Sequence, residues 1–172
     1  MDFDSFGRTL LRGALALSLT AAVACGSNAG TRQPAERTTG GAPAATPADA
    51  PLAVVYKSPT CGCCNAWVDH MRQSGFRVET HDTDNVDQVK NESGVPQNAR
   101  SCHTAKVGAY AIEGHVPADL VKRLLQEHPA DIAGLAVPGM VTGSPGMEGP
   151  NPQHYDVIAF HKDGTTSVYA SR

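Results

Sequence analysis

The chain has 172 residues, 41% of them hydrophobic, with 14 basic and 17 acidic side chains and a formal net charge of −3. That length allows one ordinary domain with some additional chain, and the near-balanced charge argues against a basic nucleic-acid groove, so no nucleic-acid partner is expected. The unusual feature is the cysteines: Cys25, then Cys61, Cys63 and Cys64 close together, then Cys102.

The N-terminus reads as an export signal. Arg8 and Arg12 supply a positive start, and Ala14 to Ala24 is an apolar stretch too short to span a bilayer. It ends in Ala22-Val23-Ala24-Cys25-Gly26, where small residues before a cysteine look like the cleavage box of a bacterial lipoprotein. Residues 1–24 are therefore expected to be a signal peptide, with Cys25 the acylated first residue of the mature chain. Ordinary cleavage near Ala24 is the alternative, and a plain N-terminal helix is disfavoured because the segment has no amphipathic face. Residues 25–51 are rich in Gly, Ala, Thr and Pro without hydrophobic periodicity, and read as a disordered linker. This arrangement places a domain over residues 52–172 in the periplasm or cell envelope, touching the membrane through its lipid anchor alone.

The domain opens with a β-branched apolar run, Leu52 to Tyr56, which predicts a buried strand broken by Ser58-Pro59-Thr60. From Cys61 the period turns helical, with Cys64, Trp67, Val68 and Met71 on one face and Gly75 at the end. Phe76 to Thr80 predicts a second strand, Val86 to Ser93 a short helix, and Lys106 to Glu113 a single strand. Pro117 suits the first turn of a helix whose stripe is Leu120, Val121, Leu124 and Leu125, stopped by Pro129. Residues 130–153 read as a long loop dense in Gly and Pro. Tyr155 to His161 and Thr165 to Ala170 then predict a hairpin turning at Asp163-Gly164. A strand, a cysteine motif at a helix start and a crossover to a parallel strand predict an α/β fold: a thioredoxin-like sandwich, a central mixed sheet flanked by helices, with a C-terminal β-hairpin.

Cys61 and Cys64 have the Cys-x-x-Cys spacing, and Cys63 lies between them. The partial positive charge and free N–H groups of a helix start favour thiolates, the species that both attacks disulfides and binds metal. Three cysteines within four residues exceed what a dithiol redox cycle needs. Cys102 precedes a predicted strand whose loop can approach the same helix end. Thiolates are soft donors that suit Cu(I), zinc or iron–sulfur units, so donor type alone leaves zinc open. Two structural disulfides, or a structural zinc knot, are the other readings of four cysteines in an exported domain.

His103, beside Cys102, is a candidate ligand or base. His115 is expected to be a turn residue, and His70, His81, His128, His154 and His161 surface positions. His70 lies roughly two turns, ~10 Å, along the helix from Cys63, too far to share a ligand shell. Met140 and Met147 close two Pro-Gly-Met repeats in the long loop, where core packing explains a methionine less well, and a thioether suits Cu(I). Trp67 is expected in the core. No Ser/His/Asp arrangement, phosphate loop or paired-carboxylate motif stands out.

Four segments carry a resemblance: Tyr56-Lys57-Ser58-Pro59-Thr60-Cys61-Gly62-Cys63-Cys64, Ser101-Cys102-His103-Thr104-Ala105, Glu113-Gly114-His115-Val116-Pro117 and Gly143-Ser144-Pro145-Gly146-Met147-Glu148. Residues 52–171 resemble the domain-of-unknown-function family of thioredoxin-like metal-binding proteins that includes the bacterial periplasmic copper-resistance protein CopG. The resemblance implies a multicopper thiolate cluster on Cys61, Cys63, Cys64 and Cys102, and a role in copper handling that can include redox activity. Val141 stands where a proline is expected after Pro-Gly-Met, which loosens the loop without removing a donor. The lipid anchor rests on Cys25 alone.

The expected function is thus a cell-envelope copper(I)-binding protein for copper resistance or homeostasis, holding one or more copper ions, with zinc as the less favoured metal. Its candidate metal residues are Cys61, Cys63, Cys64, Cys102, His103 and Met147. Copper ions and other envelope copper-handling proteins are its expected partners. A thiol–disulfide or copper-dependent oxidoreductase using Cys61 and Cys64 is the alternative.

Overall fold

The computed structural model describes residues 47–172. The predicted signal segment, Cys25 and most of the predicted linker lie outside the described residues. Among the described residues no helix is long and apolar enough to cross a membrane.

Seven strands form one sheet in the order β2-β1-β3-β4-β5-β6-β7. They are β1 Leu52–Lys57, β2 Arg77–Asp82, β3 Thr104–Val107, β4 Tyr110–Glu113, β5 Ile132–Ala136, β6 Asp156–His161 and β7 Thr166–Ser171. Three helices, α1 Gly62–Gln73, α2 Val86–Glu92 and α3 Ala118–Glu127, and one 3-10 turn, Gln97–Ala99, complete the fold. The pairs β1/β2 and β4/β5 run parallel, and the other four neighbouring pairs antiparallel. This is the expected thioredoxin-like α/β sandwich, with its mixed sheet and C-terminal hairpin.

The core follows from the periodicities. The face of α1 formed by Cys64, Trp67, Val68 and Met71 is buried, as its helical spacing predicts. With Leu120, Val121 and Leu124 of α3 it packs on the sheet face carrying Ala53, Val55, Ala105, Val107, Ile112 and Leu135. The opposite face buries Ala111, Ala136 and Phe160 against Val95 and Ala99. Edge strand β2 is mostly exposed and carries Arg77, Glu79, His81 and Asp82. Such charges discourage pairing with another chain.

Two expectations are corrected. The predicted strand from Lys106 to Glu113 is a hairpin, β3–β4, in which Val107 pairs with Tyr110. Gly108 adopts φ +58 and lets the chain reverse at once. The predicted loop 130–153 contains β5, whose Gly134 sits beneath Phe160. A Cβ there would lie 1.9 Å from the Ala111 carbonyl oxygen, so only glycine fits between the strands. Smaller adjustments occur at α3, where Pro117 precedes the helix and His128 ends it in the left-handed region at φ 47, one residue before Pro129.

Candidate metal centre

The site forms where three segments meet at one end of the sheet. Strand β1 ends at Lys57, and the turn Ser58–Thr60 delivers Cys61 to the N-cap of α1. Cys63 and Cys64 fall in that helix's first turn. Cys102 comes from the segment before β3, and the loop from Ser144 to Glu148 closes over the helix start. The sulfurs of Cys61, Cys63, Cys64 and Cys102 all lie within 4.8 Å of one another. Cys61 and Cys64 are joined as a disulfide, while Cys63 and Cys102 are unpaired and half-buried. Cys63 Sγ lies 3.5 Å from Cys61 Sγ, and Cys102 Sγ lies 3.4 Å from Cys64 Sγ.

The Cys102 segment is held from below by a buried polar network. Glu113 is fully buried and Lys90 nearly so, and Lys90 Nζ donates to Glu113 Oε1 at 2.6 Å. The same oxygen accepts the Ser101 backbone N–H at 2.6 Å, and Glu113 Oε2 accepts the Thr104 hydroxyl at 2.6 Å. Lys90 also donates to Thr104 Oγ1 at 3.2 Å. Residues on both sides of Cys102 are thereby tied to one carboxylate. Lys57, buried at the end of β1, is paired with Asp82 across the parallel register at 2.6 Å.

His103 is fully buried, with its ring 4.5 Å from that of Trp67 and its Nδ1 3.3 Å from Cys102 Sγ. His115, expected to be a turn residue, is instead fully buried in the site, its Nε2 3.1 Å from Cys102 Sγ. Its Nδ1 lies 2.7 Å from the Pro145 carbonyl oxygen. A carbonyl can only accept, so Nδ1 carries the proton and Nε2 turns its lone pair to Cys102. The signal in the sequence was the Glu113-Gly114-His115-Val116-Pro117 motif itself, because a histidine inside a motif needs more than a turn to explain it. His70 is corrected as well: it is half-buried, and its Nε2 accepts the Ala118 N–H at 3.1 Å, satisfying the first backbone donor of α3. His161 forms an unanticipated row, with Nδ1 3.1 Å from Asp131 Oδ2 and Nε2 2.9 Å from Ser167 Oγ. Asp131 there is 74% exposed, so this row lies at the surface, away from the cysteines.

Both Pro-Gly-Met repeats reach the site's borders. The Gly139 N–H donates to the Arg100 carbonyl at 3.0 Å, and the Ser101 hydroxyl donates to the Gly139 carbonyl. Met140 beside it remains exposed. Gly146, at φ +81, packs on α1: a Cβ there would lie 2.6 Å from Trp67 N and 2.8 Å from Cys63 O. Met147 follows it directly and is half-buried. Gly146→Ala should therefore cost about 1–3 kcal/mol for the left-handed backbone alone. It should also lift the Met147 loop off Cys63. Thermal unfolding of the variant checks the first effect, and its metal affinity against wild type checks the second.

Burial dominates the site's protonation. It pushes the Cys102 thiol up to about 11, helped by the neighbouring Cys63. Burial likewise lowers His103 well below its ordinary 6.5, with His115, Lys90 and Lys57 adding repulsion, and it lowers His115 and His70. These three histidines are neutral in the folded chain at pH values where unfolded imidazoles have begun to take up protons. Below about pH 6.5 the unfolded state binds more protons, so acid destabilises the fold and the stability is fully present only above that pH. Melting temperatures of the metal-free chain should fall steadily from about pH 7 to about pH 5. A flat profile would contradict this.

Chemically, four convergent sulfurs make a soft donor set, and two imidazoles border it. A second group, Cys102, His103 and His115, also has its ligand atoms within 4.8 Å of one another.

Residues 99–147 match the family described as protein of unknown function, DUF411. No curated protein matches the chain. Two solved structures do. The first, titled copper resistance protein copG, form 2, is 38% identical with a TM-score of 0.68, and the match covers 72% of this chain and 99% of that one. The second, form 1 of copper resistance protein copG, is also 38% identical with a TM-score of 0.66, covering 70% of this chain and 96% of that one. With such identity across nearly the full length of its solved relatives, and the family's own match spanning Cys102, His115 and Met147, the chain belongs to the DUF411 family that includes CopG.

Proposed function

We propose that this chain binds copper(I) through Cys61, Cys63, Cys64 and Cys102 and serves copper resistance or homeostasis at the cell envelope. The observation that carries the reading is the convergence of four cysteine sulfurs within 4.8 Å on a helix start. The likeness to proteins named for copper resistance selects copper among the soft metals. Bridging thiolates let four sulfurs hold more than one ion, and zinc is the less favoured metal. His103 and Met147 complete the proposed ligand set. The domain over residues 52–172 is exported by residues 1–24 and tethered through an acylated Cys25 and the linker 25–51, where it meets copper ions and other copper-handling proteins.

The test is anaerobic titration of the reduced chain with copper(I) against a chromophoric chelator. More than one tightly held ion per chain is expected, and at most one weakly held ion contradicts the reading. Copper must displace the Cys102 proton, so affinity should rise with pH across the neutral range, by up to about tenfold per unit.

A second reading has an observation of its own, the Cys61–Cys64 disulfide in the Cys-x-x-Cys position. A thiol–disulfide or copper-dependent oxidoreductase would use this pair, and its disulfide-reductase turnover would survive Cys63→Ser and Cys102→Ser. Loss of turnover in those variants, or none in wild type, removes it.

A further inference from the structure

Asp131, His161 and Ser167 share no residue with the cysteine centre, yet their side chains form an ordered row. His161 ends β6, and Ser167 lies in β7, the last strand of the sheet. Asp131 directly precedes β5, whose Ile132 pairs with His161. His161 Nδ1 is 3.1 Å from Asp131 Oδ2, and its Nε2 is 2.9 Å from Ser167 Oγ. An ionised carboxylate can only accept, so Nδ1 carries the proton and the Nε2 lone pair accepts the Ser167 hydroxyl. That is the polarity by which a histidine takes the proton of a serine nucleophile.

The backbone holds this row in place. The His161 N–H donates to the Thr165 carbonyl at 2.8 Å, and the Lys162 N–H donates to the Asp131 carbonyl at 3.0 Å. Lys162 Nζ straps the same segment through the Ala130 carbonyl at 2.7 Å. A free backbone donor lies beside the serine. Bonded and non-bonded pairs alternate along an antiparallel ladder. The bond between His161 and Thr165 therefore makes Phe160–Thr166 a non-bonded pair, Ala159–Ser167 a bonded one and Ile158–Val168 non-bonded. Among the described residues β7 has no outer neighbour, so the Val168 N–H points to the open edge. The amide of the residue after a nucleophile is a recurrent donor to the oxyanion of acyl transfer. Ser171 on the same strand offers a contrast, since its hydroxyl donates to the Asp156 carboxylate at 2.6 Å.

We propose that Ser167, His161 and Asp131 form an acyl-transfer site that hydrolyses small activated carboxylic esters. Ser167 Oγ attacks the ester carbonyl carbon, and its proton passes to His161 Nε2. The bond from that carbon to the leaving oxygen breaks, and the leaving group takes the proton from Nε2. Water then attacks the acyl-serine and gives a proton to Nε2. The acyl–Oγ bond breaks, the proton returns to Oγ, and a carboxylic acid departs. Ser167 and His161 are the catalytic residues, and Asp131 is a positioning residue that acts through the imidazole. Water screens the exposed Asp131, so it orients the ring more than it strengthens the base. Ser167 is exposed, so substrate needs no opening of the fold to reach it.

The test treats the full chain with a fluorophosphonate, which modifies activated serines and spares thiols, and maps the product by peptide mass. Ser167 should be labelled and Ser171 should not. His161→Gln should slow the labelling by about a hundredfold, the share of a general base. Asp131→Asn should slow it as well, and Asp131→Glu should restore it, with the thermal melt unchanged in both. Hydrolysis of p-nitrophenyl acetate should fall in Ser167→Ala, while any share carried by the cysteines persists in both proteins. No label on Ser167, equal labelling of Ser171, a rate unchanged in His161→Gln, or hydrolysis unchanged in Ser167→Ala overturns the proposal. If His161→Gln fails to fold, Asp131→Asn decides, because it alters an exposed carboxylate, and an undiminished labelling rate there overturns the proposal as well.

Discussion

Cys63→Ser should abolish nearly all copper(I) binding while leaving the fold intact. Cys61 and Cys64 can satisfy each other as a disulfide, and Cys102 has imidazole partners, but Cys63 has no such second role in the site. Its sulfur stands 3.5 Å from that of Cys61, within reach of a bridging ion. Losing it removes one of the four sulfurs and a bridge beside Cys61, so stoichiometry should fall as well as affinity. The side chain is half-buried and carries no structural hydrogen bond to the backbone, so stability should change by no more than ~1 kcal/mol. Copper counting on the refolded variant, beside its thermal melt, checks both statements. An unchanged copper count would show that the binding does not need a third helix-start thiolate.

The second large effect is expected at Glu113. Glu113→Gln leaves the Lys90 ammonium buried without its counter-charge, and removing one partner of such a pair costs ~3–5 kcal/mol. Against a total stability of about 5–15 kcal/mol that is enough to threaten folding. Removing the charge on both sides separates charge from positioning. In Lys90→Met with Glu113→Gln, the amide oxygen still accepts the Ser101 N–H, and Cys102 should keep its place. In Lys90→Met with Glu113→Leu, the fold should recover through apolar packing, but Ser101 loses its acceptor and Cys102 loses its anchor. The alkylation rate of Cys102 in the reduced, metal-free chain reads this directly. It should rise in the leucine double variant and not in the glutamine one; equal rates would make the network purely structural.

How much of this was legible in the sequence depends on the range of each contact. Helix α1 was legible because Cys64, Trp67, Val68 and Met71 recur over about two turns, and helical spacing alone says they share a face. The cysteine convergence was half-legible. Cys61, Cys63 and Cys64 are neighbours in sequence, whereas Cys102 needed the guess that its loop returns to the helix start. The hairpin at Gly108 was missed because alternation runs through Val107, Ala109 and Ala111 as if the strand continued. Only the glycine's backbone freedom marks the reversal. Strand β5 was hidden by its own Gly134, which reads as a loop residue but is dictated by the close approach of Ala111 and Phe160. The Lys90–Glu113 pair could not be seen, since a charge on a short helix and one at a strand end look solvated until the fold buries both. His115 was missed for the same reason. Its partners, Cys102 and Pro145, come from 13 residues before it and 30 after it.

The measurement closest to the central claim is X-ray absorption at the copper edge of the reduced chain loaded with copper(I). The account predicts a first shell dominated by sulfur, a short copper–copper vector from thiolate-bridged ions, and loss of that vector in Cys63→Ser. A first shell of nitrogen and oxygen, or a sulfur shell unchanged in Cys63→Ser, would contradict it.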